Sequence, residues 1–314
     1  MLSKRLITGP MLVVLLLALA WLDAWVGSRQ IETSLYMGWP MGEFGIEMIP
    51  PGLVIFVTCC ILVPLGSHEL ATMSRAGGNR CNPGLAAVFA LLLLLAMWIG
   101  GAMPSTQGAP MLAVGLLGSI LAACFFVSLA IYSRGERTEG VLTAAASTLF
   151  IATYLGIFLG FYMLIRADHS IWWIIGIIAI VKMCDTGAYF IGSAIGRHKM
   201  IPWLSPGKTW EGLAGGLVVA TLTAWGLASL SGHWLPAEPA IPLGWAIGIG
   251  IVISLTGQLG DLVMSLIKRS AQVKDSSSLL PGLGGVMDVL DSPLLAAPVA
   301  WWLLRCLTSG GPIS

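Results

Sequence analysis

The sequence predicts an all-α protein, a polytopic bundle of about 8–9 transmembrane helices with its N-terminus in the cytoplasm. Three observations predict it. Hydrophobic residues make up 57% of the 314 positions and charged residues only 10%, against about 25% in an ordinary soluble domain, so there are too few charges to coat a water-exposed surface. The apolar residues gather into windows near the length that a helix needs to cross a bilayer core. The basic residues fall mostly in alternate connections, the bias that orients membrane proteins.

The first window, 7–26, follows Met1-Leu-Ser-Lys-Arg and mimics a secretory signal. It is long for a signal core, and Gly27-Ser-Arg-Gln is a poor cleavage site, so it reads as a retained first span. The second window, 52–70, closes on His68 and Glu69, to which the sequence assigns no functional role. Windows 85–103, 111–131, 141–165, 171–192, 212–230 and 241–259 follow, and 293–307 makes a short last span. Several are rich in Gly and Ala, which suits close helix packing in lipid.

Between these windows Lys4, Arg5, Arg75, Arg80, Arg134, Arg137, Arg197, Lys199, Lys208, Lys268, Arg269 and Lys274 fall on one side. Arg29, Arg166 and Arg305 fall on the other, where Glu32, Glu43 and Glu47 also lie. The richer side is the cytoplasmic one. It holds the two most unusual polar connections, 185–211 and 260–292. A net charge of +1 gives no reason to expect a nucleic-acid partner. Six cysteines form no Cys-x-x-Cys pair and read as buried free thiols. The chain reads as one membrane domain, with N-terminal transmembrane helices over 1–140 and a C-terminal catalytic region over 141–314 facing the cytoplasm.

Three segments carry chemistry. Asp185, in Asp185-Thr-Gly-Ala-Tyr-Phe, ends an apolar run. An acid there is either at headgroup level or facing an internal wet cavity, because an ionisable group in lipid must be paired, hydrated or used. Ser205-Pro-Gly-Lys208-Thr209-Trp-Glu211 places a turn, a cation and a hydroxyl just before an apolar helix. A helix N-terminus favours phosphate, although the Walker A spacing is absent. Glu211 could simply complement the helix dipole. The third segment runs from Gly257 to Ser292. Asp261, Ser265 and Lys268 share one helical face, and Asp288 and Asp291, three apart, share another. Gly284-Gly285 permits a sharp turn and close backbone approach to a ligand. Carboxylates beside Lys268, Arg269 and Lys274 point to Mg²⁺ shared with phosphates. The bland reading is a basic juxtamembrane loop on anionic lipid with solvated acids.

These strings, Asp185-Thr-Gly-Ala-Tyr-Phe, Ser205-Pro-Gly-Lys-Thr-Trp-Glu-Gly and Gly260-Asp-Leu…Ser265…Lys-Arg…Lys-Asp…Pro-Gly-x-Gly-Gly…Asp288-x-x-Asp291-Ser, resemble the phosphatidate cytidylyltransferase (CDP-diacylglycerol synthase) family over residues 140–305. The resemblance implies a nucleotidyltransferase of phospholipid biosynthesis, integral to the cell (inner) membrane, that takes CTP and phosphatidate and uses Mg²⁺. It allows a homodimer. It implies Asp261, Asp288 and Asp291 as metal ligands, and Ser205, Lys208 and Thr209 near phosphates or the metal. Lys268 and Arg269 would hold an anionic substrate, with Lys274 and Asp185 lining the same site. Two positions depart from the family pattern: Leu283 stands where His is usual, and Val289 where Arg is usual. The alternatives are a CTP-dependent isoprenoid-alcohol kinase, an ion-coupled transporter and a divergent inactive membrane scaffold.

Overall fold

A computed structural model describes residues 2–28, 51–103, 109–134, 138–234 and 241–309. Arg29, Glu32, Glu43, Glu47 and Arg137, which entered the charge comparison, lie outside these residues, as do the side chains of Lys4 and Arg5. Among the described residues the fold is nearly all-α. Its elements are α1 (Leu2–Gly27), α2 (Leu53–Ala76), α3 (Pro83–Ala102), α4 (Ala109–Tyr132), α5 (Val141–Asp168), α6 (Ile171–Ile195), β1 (Lys199–Ile201), β2 (Ser205–Thr209), α7 (Trp210–Trp234), α8 (Leu243–Ser270) and α9 (Val286–Ser309). Nine helices among the described residues are long and apolar enough to cross a membrane.

The chain forms two compact units. The first comprises Met1–Ile171 with Ser270–Asp288, the second Trp172–Arg269 with Val289–Ser314. In the first, α3 packs against α5 and α2, α4 against α3 and α5, and α1 against α2. Lipid tails are as apolar as Leu, so helices in a bilayer gain from close contact rather than from leaving water. Gly160 supplies such contact, since a Cβ there would stand 2.6 Å from the Met97 side chain. One charged contact pins three helices near their ends. The Arg166 Nε donates to Asp23 Oδ2 at 2.7 Å, and the Val54 amide donates to Asp23 Oδ1 at 3.2 Å.

In the second unit small residues bring α6, α7 and α8 together. A Cβ on Gly216 of α7 would stand 2.7 Å from the Cys184 carbonyl of α6, and one on Gly250 of α8 would stand 2.7 Å from the Thr221 Cα of α7. Gly187 of α6 faces Val219 of α7, 2.8 Å from where its own Cβ would be. Gly187→Val is therefore expected to lower stability by about 1–3 kcal/mol through overpacking. The measurement is the thermal midpoint of the detergent-solubilised protein, and an unchanged midpoint would show that α6 and α7 do not meet closely there.

Several helices outrun the apolar windows. The window 241–259 becomes α8, which continues to Ser270 and carries Asp261, Ser265, Lys268 and Arg269 on helix rather than in a connection. The window 293–307 begins at Val286, so Asp288 and Asp291 lie in the first two turns of α9. A helix satisfies its backbone internally whether or not its side chains are apolar, and hydropathy alone stops at the first charge. The hairpin β1–β2 also differs from expectation. The stretch Ser205–Thr209 is extended and pairs antiparallel with Lys199–Ile201. Pro206 biases Ser205 away from helical backbone, and helix begins only at Trp210.

Candidate functional site

The second unit contains a cavity of about 620 Å³ lined by Asp185, Ser205, Lys208, Thr209, Gln258 and Asp261, among others. Helices α6, α7 and α8 and strand β2 supply most of the lining. At its centre the Lys208 ammonium stands 2.7 Å from Asp261 Oδ2. The same ammonium donates to Gln258 Oε1 at 3.0 Å, and the Gln258 amide donates to Asp185 Oδ1 at 2.8 Å. The result is one polar chain, Asp185–Gln258–Lys208–Asp261. Its members are half-buried or buried, which strengthens each charge-assisted bond relative to water. Asp261 Oδ1 takes no hydrogen bond from the described residues, so it offers a carboxylate oxygen to a ligand.

The Ser205–Glu211 segment also has two local duties. Thr209 is the N-cap of α7: its hydroxyl accepts from the Gly212 amide at 3.1 Å, so one of the free helix N–H groups is already taken. Glu211 does more than complement the dipole. It is bound to His198 Nδ1 at 2.6 Å and accepts from the His198 amide at 3.2 Å, tying β1 to the start of α7.

Asp291 is 6% exposed. Its Oδ1 accepts from the Ser292 amide at 2.6 Å. Its backbone carbonyl lies against Gly260, where no larger residue fits, so α9 seats Asp291 beside the Gly260-Asp261 step of α8. Asp261 and Asp291 act on one another electrostatically. Arg269 reaches the turn of the hairpin, its Nε donating to the Leu204 carbonyl at 3.5 Å. Lys268 occupies the last turn of α8.

Lys274 and Asp288 belong to the first unit. Lys274 is exposed in the loop after α8. Asp288 Oδ2 accepts from the Ser276 amide, the Ser276 hydroxyl and the Gly285 amide, each at 2.9 Å. The bond to Gly285 is the reciprocal half of a capping box, with residue N3 reaching back to the N-cap amide. Gly284 has φ +97° and lies so near the Asp288 carboxylate that only a glycine fits. The departure at Leu283 falls in the turn before it. There the Leu283 amide donates to the Leu280 carbonyl at 3.0 Å, a bond any residue but Pro can make.

Three polar residues escaped the sequence reading. Gln258 lies one turn before Asp261 in an apolar stretch, and that placement was its signal. Lys182 was passed over because it lies within a span. It stands 3.6 Å from Asp185 Oδ2 and also acts on Asp291. Glu69, given no role, is 4% exposed and fully engaged in the first unit.

The model of the Cytidylyltransferase family matches residues 34–307. The chain belongs to this family. A phosphatidate cytidylyltransferase of Mycobacterium bovis is 31% identical to this chain over 297 residues, covering 89% of the chain and 90% of the relative. One from Staphylococcus aureus is 32% identical over 253 residues, covering 80% and 90%. One from Bacillus subtilis is 39% identical over 155 residues, covering 49% and 55%. The donors at this site suit a hard divalent cation. Among the described residues no three His, Cys, Asp or Glu side chains converge on one point, but Mg²⁺ takes one or two carboxylates and completes its shell with phosphate and water. The unclaimed Asp261 oxygen and the neighbouring Asp291 fit that demand.

Proposed function

We propose that this protein transfers CMP from CTP to phosphatidate, giving CDP-diacylglycerol and pyrophosphate, in a cavity open to the cytoplasm. The observation that carries the reading is the Lys208–Asp261 pair at 2.7 Å within a polar cavity that membrane helices and strand β2 line together. A phosphatidate headgroup is polar while its acyl chains remain in the bilayer, and a polar cavity among membrane helices meets both needs.

In the reaction a phosphatidate oxygen bonds to the α-phosphorus of CTP, and the α–β bridging bond breaks to release pyrophosphate. The attacking phosphate is already ionised, so no strong base is needed. The obstacle is repulsion between two polyanions. Lys208 can pass from Asp261 to an incoming phosphate, and Ser205 can donate its hydroxyl to the same group. Lys268, Arg269 and Lys274 add positive charge along the two polar connections. Asp261 and Asp291 would hold Mg²⁺, which would supply charge neutralisation and orientation of the phosphates. The charge of Asp288, at the start of α9, would serve the same reaction. Gln258 keeps Asp185 and Lys208 in register. The cytoplasmic placement rests on the basic residues that flank these segments.

Inverted and right-side-out membrane vesicles, each given labelled CTP, test the whole reading. CDP-diacylglycerol should form in inverted vesicles with phosphatidate and stop on adding EDTA. Product only in right-side-out vesicles would reverse the orientation. Labelled polyprenyl phosphate, formed on supplying polyprenol with CTP labelled in its γ-phosphate, in place of CDP-diacylglycerol would replace the reaction with an isoprenoid-alcohol kinase.

A further inference from the structure

Glu69 stands in α2, in the half of the chain that the motifs do not reach. Its carboxylate nevertheless accepts four hydrogen bonds from the segment 276–287. Oε1 accepts from the Ser277 hydroxyl at 2.7 Å and the Val286 amide at 2.9 Å. Oε2 accepts from the Ser276 hydroxyl at 2.8 Å and the Met287 amide at 2.9 Å. Two of these donors are the first two amides of α9, which have no partner within the helix. A carboxylate at this point also complements the positive end of the helix dipole. Such an arrangement fixes where α9 begins.

The same hydroxyl links Glu69 to Asp288. Ser276 Oγ lies 2.8 Å from Glu69 Oε2 and 2.9 Å from Asp288 Oδ2. It has one proton for two acceptors, so the two acids share it. Gly285 stays small for the same reason, because a side chain there would collide with the Ser276 hydroxyl and with both Glu69 oxygens at 2.5 Å. Glu69, Ser276, Gly285 and Asp288 thus belong to one hydrogen-bonded set within the first unit.

We propose that Glu69 is a positioning residue for CMP transfer, acting through the capped first turn of α9 and its Asp288. The proposal rests on the reading of Asp288 given above. Glu69 holds no substrate itself. It sets the direction of the Asp288 carboxylate by engaging the two amides just before it and by sharing the Ser276 proton. Outer partners of this kind typically change activity or metal affinity by about 10–100-fold when altered.

Glu69→Gln tests this in the full-length protein in detergent. Gln keeps the size of the side chain but turns an NH₂ toward a donor. The expected result is a fall in kcat of about tenfold or more with little change in KM for CTP. Faster deuterium exchange at the Val286 and Met287 amides should accompany it. The wild-type protein is assayed alongside. If it transfers no CMP, the functional reading fails before Glu69 is judged. If the wild type is active and the folded Glu69→Gln protein keeps its kcat, Glu69 has only a structural part and the proposal is overturned. Should Glu69→Gln fail to fold, Ser277→Ala takes its place, removing one donor to Glu69 without touching Asp288. A lower kcat at unchanged KM then supports the proposal, and an unchanged kcat overturns it.

Discussion

Asp261→Asn is expected to lower kcat for CMP transfer by at least about a hundredfold, the scale of losing one preorganised electrostatic contact to a transferring group. Asn keeps the shape of the side chain and so leaves α8 and its packing intact. It removes the negative charge that balances Lys208 at 2.7 Å, and it removes the oxygen charge that would hold a divalent ion. Lys208 keeps its contact with Gln258 Oε1, so the cavity need not collapse. The measurement is CTP-dependent pyrophosphate release by the purified protein with added phosphatidate, with the thermal midpoint as the control for folding. Turnover within a few-fold of normal would remove Asp261 from the chemistry and leave its ion pair a structural contact.

The second large effect separates two duties of Asp288. Its Oδ2 accepts two backbone amides and a serine hydroxyl, which is a capping duty that needs only an oxygen. Asn can present its carbonyl oxygen to the same amides. Asp288→Asn should therefore insert and fold while losing at least about a hundredfold in kcat, if the charge itself serves the reaction. Retained turnover would confine Asp288 to holding the start of α9. The comparison with Glu69→Gln is informative, since that change disturbs the cap and leaves the Asp288 charge in place.

The membrane spans were legible because hydropathy reports what lipid demands, and each of the nine predicted windows falls within or largely overlaps a helix long and apolar enough to span. What hydropathy could not report was where the helices stop. Asp261 and Lys268 interrupt the apolar run without interrupting α8, because the backbone ladder does not depend on which side chains it carries. The hairpin β1–β2 escaped for a related reason: a strand of three residues has too short a pattern to read. Within the candidate site, Asp185, Ser205, Lys208, Thr209 and Asp261 were found from their motifs and line one cavity. Gln258 and Glu69 were missed because each is a polar residue inside a helix whose meaning depends on a partner distant in sequence, and Lys182 because a cation within an apolar span reads as part of the span. Glu69 meets Val286 across 217 positions, a relation that spacing along one chain does not display.

The contact between Asp23 and Arg166 has a consequence for biogenesis. The two are separated by 143 positions, so α1 leaves the ribosome long before α5 exists. Asp23 is 1% exposed once the unit is packed, and a carboxylate enclosed without its counter-ion costs several kcal/mol. Until Arg166 is synthesised, α1 gains by keeping that end in contact with water or headgroups. Its final docking is thereby deferred to the arrival of the fifth helix, and a nascent chain cut short before that point would be left with a loosely held first helix for quality-control proteases to find.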